Sequence, residues 1–147
     1  ERNHIISIHK RFGHIPEMSK QSIRKFRYIL QDFTIKHLKL EKIIINSNIS
    51  IGGLSAPTHD TMMVEEIIDS LQIIEKQKTQ SEPLADGNWI MIQTGLQKGE
   101  KLGRLKAWLH SIQIERDLVS LSQIEKVLST LSWNNTDYKN WPELKFP

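Results

Sequence analysis

Residues 98–106 read Lys-Gly-Glu-Lys-Leu-Gly-Arg-Leu-Lys, which puts Gly99 and Gly103 four apart among Lys98, Lys101, Arg104 and Lys106. The chemistry open to such a stretch is anion binding. A helix N-terminus presents unpaired N–H groups and the positive end of the helix dipole, and a glycine there removes the side chain that would hold a phosphate away. Lys98, Gly99, Lys101, Arg104 and Lys106 are therefore the first candidate phosphate contacts. A plainer alternative assigns Gly95 to the C-cap of one helix and Gly103 to close packing between helices. Both readings remain open on spacing alone.

A second basic cluster, Lys20, Arg24, Lys25 and Arg27, lies in a run whose three- and four-residue spacing places Lys20, Arg24 and Arg27 on one side of a helix. It is a further candidate phosphate-binding face, with an ordinary solvated face as the bland alternative. Catalytic chemistry finds no such foothold. The chain has no Asp-x-Asp pair, no Gly-Lys-Ser or Gly-Lys-Thr phosphate loop and no Gly-x-Ser-x-Gly elbow. Zero cysteines exclude disulfides and thiolate metal sites. His4, His9 and His14, spaced by five, spread around a helix axis instead of converging, and His59-Asp60 reads better as a helix cap than as a ligand pair. No catalytic residue and no metal ligand is assigned.

The elements that carry these residues read as helices throughout. Ile5, Ile6, Ile8 and Phe12 suggest a short helix or arm closed by Gly13 and Pro16. Ser19 caps a second helix with Ile23, Phe26, Ile29, Leu30, Phe33 and Leu40 on its apolar side, breaking near Thr34 and resuming toward Ile45. Residues 46–61 read as loop. Asp60 or Thr61 caps a third helix, with Met62, Met63, Ile67, Ile68, Leu71, Ile73 and Ile74 inward and acids in its first turn. A linker follows at 76–83. Helices are then expected over Asp86–Thr94, Gly99–Arg116 and Ser122–Leu131, the last with Leu121, Ile124, Val127, Leu128 and Leu131 inward. The tail from Ser132, with two Trp, a Tyr and a Phe among polar residues, reads as a strap laid on the helices. The expected fold is all-α, an irregular bundle of five or six helices with an aromatic-rich C-terminal strap, arranged as a part over 1–78 and a part over 83–147.

At 147 residues, 38% hydrophobic and 25% charged, the chain has material for one ordinary core. No apolar run is long enough to cross a membrane and the first residues lack the order of a signal peptide, so an intracellular, cytoplasmic setting is expected. The sequon matches at Asn48 and Asn134 carry no weight in so Asn-rich a chain. The net charge of +3 hides an uneven distribution: residues 19–45 hold seven Lys or Arg against two acids, whereas 58–77 hold five acids against Lys76. A chain with a basic side suits an acidic partner such as nucleic acid. Glu1 opens the chain where a Met would be expected, which suggests a piece of a longer protein.

The stretch PLADGNWIMIQTGLQKGEKLGRLKAWLHSIQIERDL, residues 83–118, resembles the carboxy-terminal region of the class II tRNA nucleotidyltransferase (CCA-adding enzyme) and poly(A) polymerase family. The shared pattern is Pro-Leu-x-Asn/Asp-Gly, an apolar pair, then Gly-Leu-x-x-Gly-Pro-x-Leu-Gly and a basic amphipathic helix. Pro83, Leu84, Asp86, Gly87, Ile90, Met91, Gly95, Leu96, Lys98, Gly99, Leu102, Gly103 and Arg104 match it, and Glu100 replaces the usual Pro. The match covers about a quarter of the chain; residues 19–75 and the aromatic tail show no family motif. The resemblance implies an all-helical body and tail that grip the backbone of a tRNA acceptor and T-arm. It also implies that catalysis, Mg2+ and nucleotides belong to an amino-terminal head absent here, so that this piece binds tRNA-like RNA without polymerising nucleotides and needs no cofactor. A helical protein-interaction or scaffold domain, in which Trp89, Trp108, Trp133 and Trp141 anchor a protein partner or a homodimer, is the competing expectation.

Overall fold

A computed structural model describes residues 15–47, 60–74 and 82–144, and it is all-α: six α-helices and two short 3-10 turns, with no strand among the described residues. The expected arm over 3–13, the three N-terminal histidines, His59 and most of the 46–61 loop and 76–83 linker lie outside the described residues. The chain divides into two compact units between Glu75 and Lys76.

In the first unit, α1 spans Lys20–Leu30. Ser19 accepts a hydrogen bond from the Ser22 N–H at 3.1 Å, and Ile23, Phe26 and Leu30 form the buried stripe. The break expected near Thr34 falls three residues earlier, at Gln31, whose backbone turns to φ 48° and whose N–H bonds back to the Arg27 carbonyl. A 3-10 turn over Gln31–Phe33 follows, and Thr34 starts α2 (Thr34–Ser47) with its hydroxyl on the Gln31 carbonyl at 2.7 Å. This phase shift buries Thr34, His37, Leu38, Glu41 and Ile44, and leaves Ile29, Phe33 and Leu40 only half-buried. The Phe26 and His37 rings sit 5.7 Å apart in the core.

Helix α3 spans Thr61–Ile73 and is capped by Asp60, whose carboxylate accepts from the Met62 N–H at 2.9 Å. Only Val64, Ile67 and Leu71 are buried. Met62 and Ile73, expected inside, are 66% and 82% exposed, because an almost continuous apolar sequence does not reveal which phase meets the core. The acids Glu65 and Glu66 fall in the second turn, and the carboxylate at the helix start is the cap itself. The first unit is closed by α2 packed on α3 and by the Arg27 guanidinium, which donates to the Ile74 carbonyl at 3.1 Å.

The second unit holds α4 (Gly87–Thr94), α5 (Glu100–Arg116) and α6 (Leu121–Thr130). Asp86 caps α4 by accepting from the Trp89 N–H at 2.7 Å, and Gly95 ends it in the left-handed region at φ 72°. Gln123 folds its side-chain oxygen back onto the Ser120 and Val119 N–H groups at the start of α6. Leu121, expected inside, is 40% exposed in that first turn. Ile90, Leu105, Leu109 and Ile124 are sealed at the centre of the core. Buried Gln113 accepts from the Leu84 N–H and donates to the Glu82 carbonyl, so a polar side chain on α5 fixes the entry of the chain into the unit. The aromatic strap lies where the composition suggested. Trp141 is 4% exposed, its ring 5.4 Å from that of Trp108, and its indole N–H donates to the Thr136 hydroxyl at 2.7 Å.

Candidate functional site

The Lys98–Lys106 stretch is the start of α5. After the turn at Gly95, Gly99 takes the N-cap position with φ 161° and ψ −174°, extended backbone that any residue adopts. Having no side chain, Gly99 provides no cap for the N–H groups of the first turn, which Asp60 and Asp86 provide at their own helices. Lys98, Gly99, Glu100 and Gly103 are exposed, and Lys101 and Lys106 are half-buried.

Among the described residues, no neighbour accounts for Gly103 by packing. No heavy atom of the described residues, beyond its own helix backbone and chain neighbours, lies within 4 Å of where a Cβ on Gly103, or on Gly99, would stand. Neither glycine makes room for a neighbour in the described residues, and neither has a positive φ in the left-handed range. Gly95 is the glycine that its backbone requires.

Arg104 is the candidate that the structure takes away from the exposed face. Its Nε donates to the Tyr138 carbonyl at 3.2 Å and its Nη2 to the carbonyls of Lys139 at 3.1 Å and Trp141 at 2.8 Å, while Nη1 pairs with the Glu143 carboxylate. Its guanidinium thereby provides donors for the Lys139 and Trp141 carbonyls and a second donor for the Tyr138 carbonyl, which already accepts from the Trp141 N–H, and its role is to hold the strap. Lys101 leans against the same strap, with Nζ 5.9 Å from the ring centroids of both Trp133 and Trp141. Lys98, Gly99, Gly103 and the half-buried Lys106 remain as the surface of the turn. The aromatic tail was the signal for the strap, but nothing in it named Arg104 as its anchor.

The second basic cluster, Lys20, Arg24, Lys25 and Arg27, lies on α1. Lys20 is exposed, Arg24 and Lys25 are half-buried, and Arg27 is committed to the Ile74 carbonyl. Sequence reasoning also missed the buried pair on α2, where Nε2 of His37 stands 3.5 Å from Oε1 of Glu41 with both side chains sealed in the core. Two polar residues four apart inside an apolar stripe were its only signal. The four tryptophans serve their own unit: Trp141 is buried and Trp89, Trp108 and Trp133 are half-buried against the core.

Among the described residues no group of three or more His, Asp or Glu gathers as metal ligands, and no helix is long and apolar enough to cross a membrane. Compared with protein-family models, with curated proteins and with solved structures, the chain finds no match. The site therefore stands on its own geometry, which offers a helix start with no side-chain cap, the exposed Lys98 beside it, and the Glu100 carboxylate in the same turn, where it accepts from the Tyr138 hydroxyl.

Proposed function

We propose that the first turn of α5 contacts the sugar-phosphate backbone of structured RNA, and that the chain is the RNA-gripping helical part of a cytoplasmic tRNA nucleotidyltransferase or poly(A) polymerase-like protein. Nucleotide addition would belong to a catalytic head outside these residues. The observation that carries the reading is Gly103. A glycine at an exposed position inside a helix is about 1 kcal/mol less stable than alanine, and here neither backbone angle nor packing among the described residues explains it. A backbone that must come close to another molecule does. Gly99 opens the same surface one turn earlier, and the exposed Lys98 favours a negatively charged group there, with the Glu100 carboxylate of the same turn accepting from the Tyr138 hydroxyl.

Base stacking is disfavoured as the mode of contact. Every Phe, Tyr and Trp among the described residues is buried or half-buried, so no exposed ring among them offers a platform for single-stranded bases. Phosphate contact predicts affinity that falls with salt and changes little with sequence. Titrating a labelled tRNA with the chain at two or more salt concentrations tests this. Lys98→Ala should lower the log-log salt slope by about 1. Gly103→Ala should weaken binding several-fold while leaving the helix intact. Binding that is insensitive to both changes removes the turn from the interface.

A further inference from the structure

The outward faces of α2 and α3 in the first unit mirror each other in charge. On α2, Ile35 and Ile43 are 44% and 59% exposed and flank Lys36 and Lys39; on α3, Met62 and Ile73 are 66% and 82% exposed and flank Glu66 and Asp69. Each face therefore has an apolar residue near either end and like charges between. Isolated exposed aliphatics need no explanation, but four of them framing two opposite charge sets on neighbouring helices form an ordered surface.

Two contacts fix the register between the helices. Lys42 pairs with Glu65, and the Thr61 hydroxyl donates to the Asn46 side-chain oxygen at 3.0 Å. Four residues forward on α2 match four residues back on α3, so the helices run antiparallel with those rungs on one shared side. Continuing the register at about 1.5 Å per residue brings Ile35 level with Gln72 and Ile73, Lys39 level with Ile68 and Asp69, and Ile43 within one turn of Met62.

We infer that this shared α2–α3 face is the contact surface for a second copy of this chain, in a two-fold dimer whose axis runs along the groove between the two helices. That rotation lays α2 of one copy over α3 of the other and preserves the level of every residue along the axis. Ile35 then meets Ile73 of the second copy at one end, and Ile43 meets Met62 of the second copy at the other. Between them Lys39 lies over Asp69 of the second copy, with Lys36 on the Ile73 side of that pair and Glu66 of the second copy on the Met62 side, and the two Lys42–Glu65 pairs form a ring of alternating charge beside the axis. An isologous contact requires one patch to complement itself, and a face with basic and acidic halves in matching register does so. A polyanion fits the face less well, because the α3 acids border the lysines along its whole length.

Sedimentation equilibrium of the full chain, loaded from about 1 to 100 µM at low salt, tests the contact. The expected result is a monomer–dimer equilibrium that shifts toward monomer as salt rises. Lys39→Glu alone and Asp69→Lys alone should each weaken self-association by about tenfold or more, since each creates two like-charge contacts across the axis. Mixing those two variants should restore dimers. In the mixed pair the glutamate introduced at position 39 faces the lysine introduced at position 69, and the unaltered Lys39 and Asp69 face each other as in the parent. Circular dichroism should show unchanged helicity in both variants, whose altered residues are exposed. A monomer at every loading overturns the inference, whether or not the face captures RNA, as does a dimer that neither charge reversal weakens or a mixture that fails to recover.

Discussion

Gly95, Gly99 and Gly103 fall within nine residues and are held by three different physical situations. Gly95 occupies φ 72°, where an L side chain is strained; Gly99 is extended and open; Gly103 is helical and open. Opposite stability effects follow. Gly103→Ala should raise the free energy of unfolding by about 1 kcal/mol and Gly95→Ala should lower it by about 1 kcal/mol, both read from urea denaturation. The first part fails if Gly103→Ala destabilises, which would mean that the glycine serves the fold. Two of the three places were legible in the sequence: Gly95 just past an apolar helical run is a common C-cap, and Gly99 falls at the start of the helix expected from it. The openness around Gly103 depends on what the other helices leave uncovered, and spacing within one helix carries no such information. The same limit hid Arg104: its charge was visible, but the carbonyls that it satisfies lie 34 to 37 residues away.

At the scale of elements, helix starts were the most legible feature, since Ser19, Asp60 and Asp86 sit next to the N–H groups that they cap. Inner faces were legible where polar residues interrupt the apolar ones, as on α1, and misleading on α3, where Met-Met-Val and Leu-Gln-Ile-Ile permit more than one phase. The strap is the element whose stability depends most on a single side chain. Arg104→Ala removes three hydrogen bonds to strap carbonyls and the pairing with Glu143. The expected loss is about 2 kcal/mol, with tryptophan emission shifted to the red as Trp141 gains water. Arg104→Lys should recover little, because one ammonium group cannot reproduce the fork that reaches Tyr138, Lys139 and Trp141 together. Unchanged emission in Arg104→Ala would show that Trp141 burial alone holds the strap. A variant that reverses both Lys101 and Arg104 would confound strap release with lost binding, so Lys98 and Gly103 are the cleaner probes of the surface.

At the scale of the whole molecule, the all-α reading holds, and the charge pattern seen along the chain acquires a spatial meaning within each unit. The basic run 19–45 becomes α1 and α2, Glu65, Glu66 and Asp69 of the acidic run lie on α3, and α2 and α3 share an ion pair between Lys42 and Glu65. Each unit is stabilised by its own apolar core, and in the second unit by polar ties at Gln113 and Arg104 as well. Function comes down to whether α5 begins with two open glycines because RNA must come close there. Fluorescence anisotropy of a labelled tRNA, titrated with the wild-type chain and with Gly103→Ala at low and moderate salt, decides it. Salt-sensitive wild-type binding is expected, with a several-fold weaker variant whose fold is more stable than the parent. Equal affinity for the two proteins, or no binding by the wild-type chain at low salt, would contradict that role for the glycines.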